Sequence, residues 1–109
     1  MANAARGEVT FKAGERTYVL RPTFEALCAI EDRLDAGIIE IAERIVGRRY
    51  GIREIGAILT AGAQAADKDV TEAEIGAAIA EGRLRLATEL ALVLLAGALG
   101  GESEEKKDP

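Results

Sequence analysis

The side chains of this 109-residue chain that could carry chemistry are few and scattered. There is no histidine, which removes an imidazole base, any His-containing triad and any His-ligated metal. The single cysteine, Cys28, sits between Leu27, Ala29 and Ile30 at a mid-helix position. Neither a cation nor a helix N-terminus is placed to activate it, so it reads as a small buried core thiol. Asp67, Asp69 and Thr71 imitate the opening of a calcium loop, but Glu72 stands where the sixth position requires glycine. Ala78 stands where the twelfth requires glutamate, so the stretch reads as a polar loop before a capped helix. Glu31 and Asp32 are neighbours on a helix and point in different directions. The glycines assemble neither a dinucleotide fingerprint nor a P-loop. No acid, base and nucleophile come together, and the expectation is a protein without catalysis, cofactor, metal or small-molecule substrate.

One basic cluster remains. Arg44, Arg48, Arg49 and Arg53 surround Tyr50. They suit an acidic partner or a phosphate, or else they dress a helix C-terminus and a solvated turn. A net charge of −5, with acids and bases interspersed, favours the second reading and argues against nucleic acid as a partner.

The elements that must position these residues follow from patterning. Val9, Phe11, Tyr18 and Leu20 alternate within Glu8–Lys12 and Arg16–Leu20, around Ala13-Gly14-Glu15. That pattern predicts a β-hairpin, which must rest one face on the rest of the chain because an isolated hairpin is marginal. Pro22 ends the second strand and Thr23 is placed to cap a first helix over Phe24–Leu34 that stops near Gly37. Ile38, Ile41, Ala42, Ile45 and Val46 predict a second helix, with Gly47 beyond its end. A third starts at Ile52 and carries Glu54 in its first turn. Thr71 and Glu74 form a capping box with Val70 and Ile75 as its hydrophobic staple, opening a fourth helix that runs to about Glu81. A fifth follows Gly82, from Arg83 to Leu99, and Gly100-Gly101 ends it.

The fold class expected is therefore mainly α (α+β), a small N-terminal hairpin packed on a bundle of about five short helices. One domain spans residues 1–101, and the charged segment 102–109 is expected to be a disordered acidic tail. Apolar residues make up 49% of the chain, but 21 of them are alanine, so the core must be thin and built from leucine and isoleucine. The opening residues show no signal-peptide pattern, and the near-apolar run Leu90–Leu99 is about half of a membrane span. With one cysteine, these features set the expectation of a soluble protein of the cytoplasm, with no membrane partner.

The fifth helix is apolar all the way round in its second half, which fits either a central helix or one that shows a face to a partner. Leu92, Leu95 and Leu99 are the candidate contacts for self-association or for a client.

The order of parts carries a resemblance. Arg6-Gly7-Glu8-Val9 opens the hairpin, and Leu20-Arg21-Pro22-Thr23-Phe24-Glu25-Ala26-Leu27 leads to Ile30-Glu31. An isoleucine-patterned helix, an alanine-rich one, Thr71-Glu72-Ala73-Glu74-Ile75 and a leucine/alanine terminal helix follow. Over roughly Asn3 to Leu99 the chain resembles the gene-transfer-agent proteins of alphaproteobacteria, relatives of phage tail assembly chaperones that are also described as tail tube proteins. The resemblance implies a non-catalytic role in tail morphogenesis, as a chaperone for the tape-measure protein or tube subunits. A structural subunit of the tail tube is the alternative, and association with the finished particle would follow from it. A helical adaptor or DNA-binding regulator, suggested only by the short turn between the second and third helices, ranks below both.

Overall fold

The computed structural model describes residues 7–99. Its first element is a hairpin of β1 (Val9–Ala13) and β2 (Arg16–Leu20), turned by Gly14 and Glu15. Gly14 has φ +67° while Glu15 keeps an ordinary φ, the glycine-first order of a type II′ turn. The antiparallel register sets Phe11 opposite Tyr18 and Val9 opposite Leu20, so these four share a face. Phe11, Tyr18 and Leu20 are buried, whereas Lys12 and Thr17 on the other face are exposed. Burial of Phe11 and Leu20 contributes about 1.5–3 kcal/mol each, which a lone hairpin lacks.

Two helices follow, α1 (Phe24–Leu34) and α2 (Ile38–Val46). Thr23 caps α1, its hydroxyl accepting from the Ala26 N–H at 3.1 Å. Asp35 ends the helix in the left-handed region at φ 52°. The Glu31 carboxylate then accepts from the Ile38 N–H at 2.8 Å, so a side chain of α1 caps α2. Ile41 and Ile45 of α2 are buried one turn apart, the amphipathic pattern the sequence spacing predicts.

The centre of the molecule is α3 (Ile52–Ala66), which packs against α1, β2, α4 and α5. It is buried continuously from Ile55 to Thr60, because partners lie on several sides. Glu54 organises its start: one carboxylate oxygen accepts from the Gly51 N–H and the other from Arg44 Nη1, both at 2.9 Å. In α4 (Glu72–Ala80) the Glu74 N–H donates to the Thr71 hydroxyl at 3.1 Å, and the Thr71 N–H donates back to the Glu74 carboxylate at 3.4 Å. Val70 and Ile75 are both buried beside this capping box.

Gly82, at φ +87°, lets the chain leave α4, and Arg83 Nη1 donates to the Ala78 carbonyl at 3.0 Å. The last described element, α5 (Leu84–Leu99), begins one residue later than its spacing suggested and crosses α3, touching α2, α4 and β1. The core is built on Phe11, Leu20, Ile30, Ile58, Leu59 and Leu94 with their neighbours. The architecture is a two-stranded N-terminal hairpin packed on five helices, as the sequence predicts. The tail expected at 102–109, the Gly100-Gly101 stop and the Met1–Arg6 lead lie outside the described residues. No helix of the described residues is long and apolar enough to cross a membrane.

Candidate functional site

The sequence directs attention to α5. Ala87, Ala91, Leu94 and Leu95 form its buried face, two small side chains in its first half and two large ones in its second, on a helix that packs on α3. Leu95 has no exposed surface, so it serves the core of the monomer. Leu92 is half-buried and Leu99 is 52% exposed, so the three candidate contacts do not make one open stripe. A second line on the other side of the helix does: Leu86, Leu90 and Val93 follow i, i+4, i+7 spacing. Leu86 and Val93 are exposed and Leu90 is half-buried. Alternation of apolar residues cannot reveal this line, because every side of the late helix is apolar and the positions of α3, α2 and β1 decide which side is covered.

Some of the residues that carry the resemblance, Gly7, Glu8, Arg21 and Pro22, meet close to the end of α5. A Cβ built on Gly97 would stand 3.1 Å from the Gly7 Cα, and one built on Gly7 would stand 3.2 Å from Pro22 Cγ. Two glycines therefore let the end of α5 cross the start of the hairpin in backbone contact. Beside them Glu8, only 7% exposed, accepts an ion pair from Arg21 Nε at 3.0 Å. Glu8 and Arg21 flank the two ends of the hairpin, so the pair ties its open end together just before α1. A cleft of about 260 Å³ is lined by Glu8, Arg21, Pro22 and Thr23. Among the described residues its two charged side chains pair with each other, and the motif acts as a latch that sets the hairpin against α1 and α5. The Glu8–Arg21 pair is absent from a reading by periodicity, since the two residues lie in separate runs.

A second polar cluster joins the hairpin to α4. The Tyr18 hydroxyl donates to Glu74 Oε2 at 2.9 Å, and Arg16 Nη1 approaches the same oxygen at 3.2 Å. The Arg16 guanidinium also lies 4.8 Å from the centre of the Tyr18 ring. The hydrogen bond from Tyr18 holds the Glu74 carboxyl below its ordinary range, helped by Thr71 and Arg16. Burial, then the bond to Glu74, pushes the Tyr18 phenol up. Both shifts stabilise the charge states that keep β2 on α4. The ion pair of Arg33 with Glu72 similarly lowers the Glu72 carboxyl and ties α1 to the start of α4.

The other residues weighed for chemistry are dispersed. Cys28 is half-buried on the flank of α1, one turn from Phe24. Asp67 uses its carboxylate to accept from the Asp69 N–H at 3.0 Å, which shapes the loop before Thr71. Among the described residues no three His, Cys, Asp or Glu side chains gather where they could hold a metal ion. Of the arginine cluster, Arg44 is taken by Glu54, while Arg48, Arg49 and Arg53 are exposed around the α2–α3 turn.

The geometry is that of a helical body with latched ends and exposed apolar lines. Neither the curated proteins nor the solved structures include a significant match to the chain. A family model described as phage tail tube protein, GTA-gp10, matches residues 6–101, from the latch at Gly7 and Glu8 through the end of α5. The chain thus belongs to the GTA-gp10 family of phage tail tube proteins, a gene-transfer-agent and phage tail family.

Proposed function

We propose that the chain is a non-catalytic tail assembly chaperone, which holds the tape-measure protein or tube subunits during tail morphogenesis. The observation that supports it is the apolar line Leu86, Leu90 and Val93 on α5, in which Leu86 and Val93 are exposed while Leu90 also packs against the core. A helix presented in this way suits the exposed apolar helix of an elongated client, by the packing that joins amphipathic helices elsewhere. Leu99 and Leu92 extend the contact on the opposite shoulder of α5. The extended structure among the described residues is one two-stranded hairpin, which is little material for the wall of a ring.

The alternative is a structural subunit of the tube. The family description itself favours it, and the hairpin has two edges that could pair with neighbours. The two readings separate in one experiment. The tagged chain is expressed with the neighbouring tail genes, and its partners are captured from the lysate and identified by mass. Recovery of the tape-measure protein, with the chain missing from purified particles, is the expected result. Recovery in finished particles at ring stoichiometry replaces the chaperone with a tube subunit.

A further inference from the structure

Two arginines at the corner between α2 and α3 stand where the local backbone disfavours them. The end of α2 is closed by the Arg49 N–H, which donates to the Arg44 carbonyl at 2.8 Å, and by the Arg48 N–H, which donates to the Ile45 carbonyl at 3.0 Å. This closure needs one residue in the left-handed region, a place that glycine usually fills. Arg48 fills it here, at φ 62°, although Gly47 is the residue before it. Arg53 is the second residue of α3, in the first turn, where the helix dipole favours acids and opposes cations. Arg49, by contrast, suits its position. A Cβ built on Gly47 would stand 3.4 Å from Arg49 Nε, so the guanidinium lies against the C-terminal end of α2. Complementing a helix end therefore accounts for Arg49 and leaves Arg48 and Arg53 unexplained.

The same corner is short of acidic partners and carries exposed apolar surface. Glu54 is occupied by Arg44 at 2.9 Å, an ion pair that ties the last turn of α2 to the first turn of α3. Arg48, Arg49 and Arg53 are exposed and make no ion pair among the described residues, with Glu43 on the last turns of α2 or with any other acid. Val46, the last residue of α2, is 71% exposed, and Ile52, the first of α3, is 48% exposed. We propose that this corner docks an acidic segment of another protein, its carboxylates on the three guanidinium groups and an aliphatic side chain against Val46 and Ile52. Arginine suits the task because its planar fork takes a carboxylate with two parallel hydrogen bonds. A nucleic acid would leave Val46 and Ile52 without an apolar partner and would carry its phosphates beyond the corner, over a chain of net charge −5. A short acidic segment stays on the arginines. The left-handed backbone at Arg48 and the opposed charge at Arg53 are then offset on binding, since local conflicts of this kind gather at functional sites. The surface belongs to α2 and α3, apart from the α5 line, and does not depend on whether the protein is a chaperone or a tube subunit.

The test is fluorescence anisotropy with the full chain and a labelled helix-forming peptide that carries leucine on one face and glutamate on the other. Binding is expected at about 50 mM salt and is expected to weaken severalfold at about 500 mM, where screening is stronger. A matched peptide with lysine in place of glutamate is expected not to bind. Arg48→Gly and Arg53→Glu are each expected to raise the melting temperature, the first by relieving the left-handed position and the second by matching the helix dipole. Each is nonetheless expected to weaken binding of the acidic peptide, and the two together by about tenfold. Arginines that serve the fold alone would not give this opposed pair of shifts. Val46→Ala with Ile52→Ala, at side chains exposed in the free protein, is expected to weaken binding with little change in melting. That variant keeps the test open where an arginine substitution fails to fold. A wild type that does not bind the acidic peptide, or binding indifferent to all of these variants, overturns the proposal. Arginine-dependent binding of duplex DNA in preference to the peptide overturns it too, as does arginine-dependent association of the chain with itself that excludes the peptide.

Discussion

Gly62 lies directly against Leu20: a Cβ on the glycine would stand 3.2 Å from the Leu20 Cβ and 3.0 Å from Leu94 Cδ2. The Gly62 carbonyl also accepts from the Arg21 N–H at 3.0 Å. The hairpin, α3 and α5 therefore meet at a position where no side chain fits. Gly62→Val should cost about 1–3 kcal/mol through overpacking. Urea denaturation checks this, and a loss well below that range would show that β2 and α5 yield without strain.

Thr71→Ala tests the helix start that sequence marks most clearly. The hydroxyl accepts from the Glu74 N–H, and Glu74 returns the bond while also holding Tyr18. The expected loss is about 1 kcal/mol, read from the shift in the urea midpoint.

The Thr60 hydroxyl is buried without a hydrogen-bond partner among the described residues. Valine has nearly the same shape without the unpaired polar group. Thr60→Val should raise stability by about 1 kcal/mol, since an unmet hydrogen-bonding group is costly in a core. Destabilisation would mean that the hydroxyl meets a partner in solution, such as a bound water.

Glu74 gives the stability a direction with pH. Its folded-state carboxyl is held below the ordinary value of 4.5, chiefly by the Tyr18 hydroxyl. A depressed carboxyl contributes stability that is fully present above the unfolded value and is lost as pH falls through the folded value. Glu72, lowered by Arg33, acts in the same sense. Unfolding free energy should thus fall as the medium is acidified below about pH 4.5, and Glu74→Gln should flatten part of that fall. Denaturation series at several acidic pH values measure the slope; an unchanged slope would remove Glu74 from the account.

These sites differ in how well sequence reveals them, for a physical reason. The Thr71 box, the Gly14 turn and the first and second helices are local, so spacing of three, four or two residues suffices to read them. Gly62 against Leu20, Gly97 against Gly7 and the Glu8–Arg21 pair depend on segments distant in the chain. Periodicity says nothing about which glycine is pressed by another element. The same limit acts on α5, whose apolar residues encircle the helix and whose buried side is chosen by α3, α2 and β1. That is why Leu95 joins the core while Val93, two residues earlier, stays half in solvent.

Leu95 and Val93 accordingly offer a paired test of the partner surface. Leu95→Ala removes a side chain with no exposure and should cost about 2–5 kcal/mol, leaving any loss of binding explained by unfolding. Val93→Glu places a charge at a side chain that is 50% exposed, where the monomer needs nothing from it. Its effect on stability should stay within about 0.5 kcal/mol. Capture of tail proteins by the tagged variant should nonetheless fall at least tenfold, because a carboxylate would then have to be desolvated against an apolar client helix. A folded Val93→Glu protein that captures its partners as well as the wild type would show that the Leu86, Leu90 and Val93 line is not the contact. Attention would then move to Leu92 and Leu99 across the same helix.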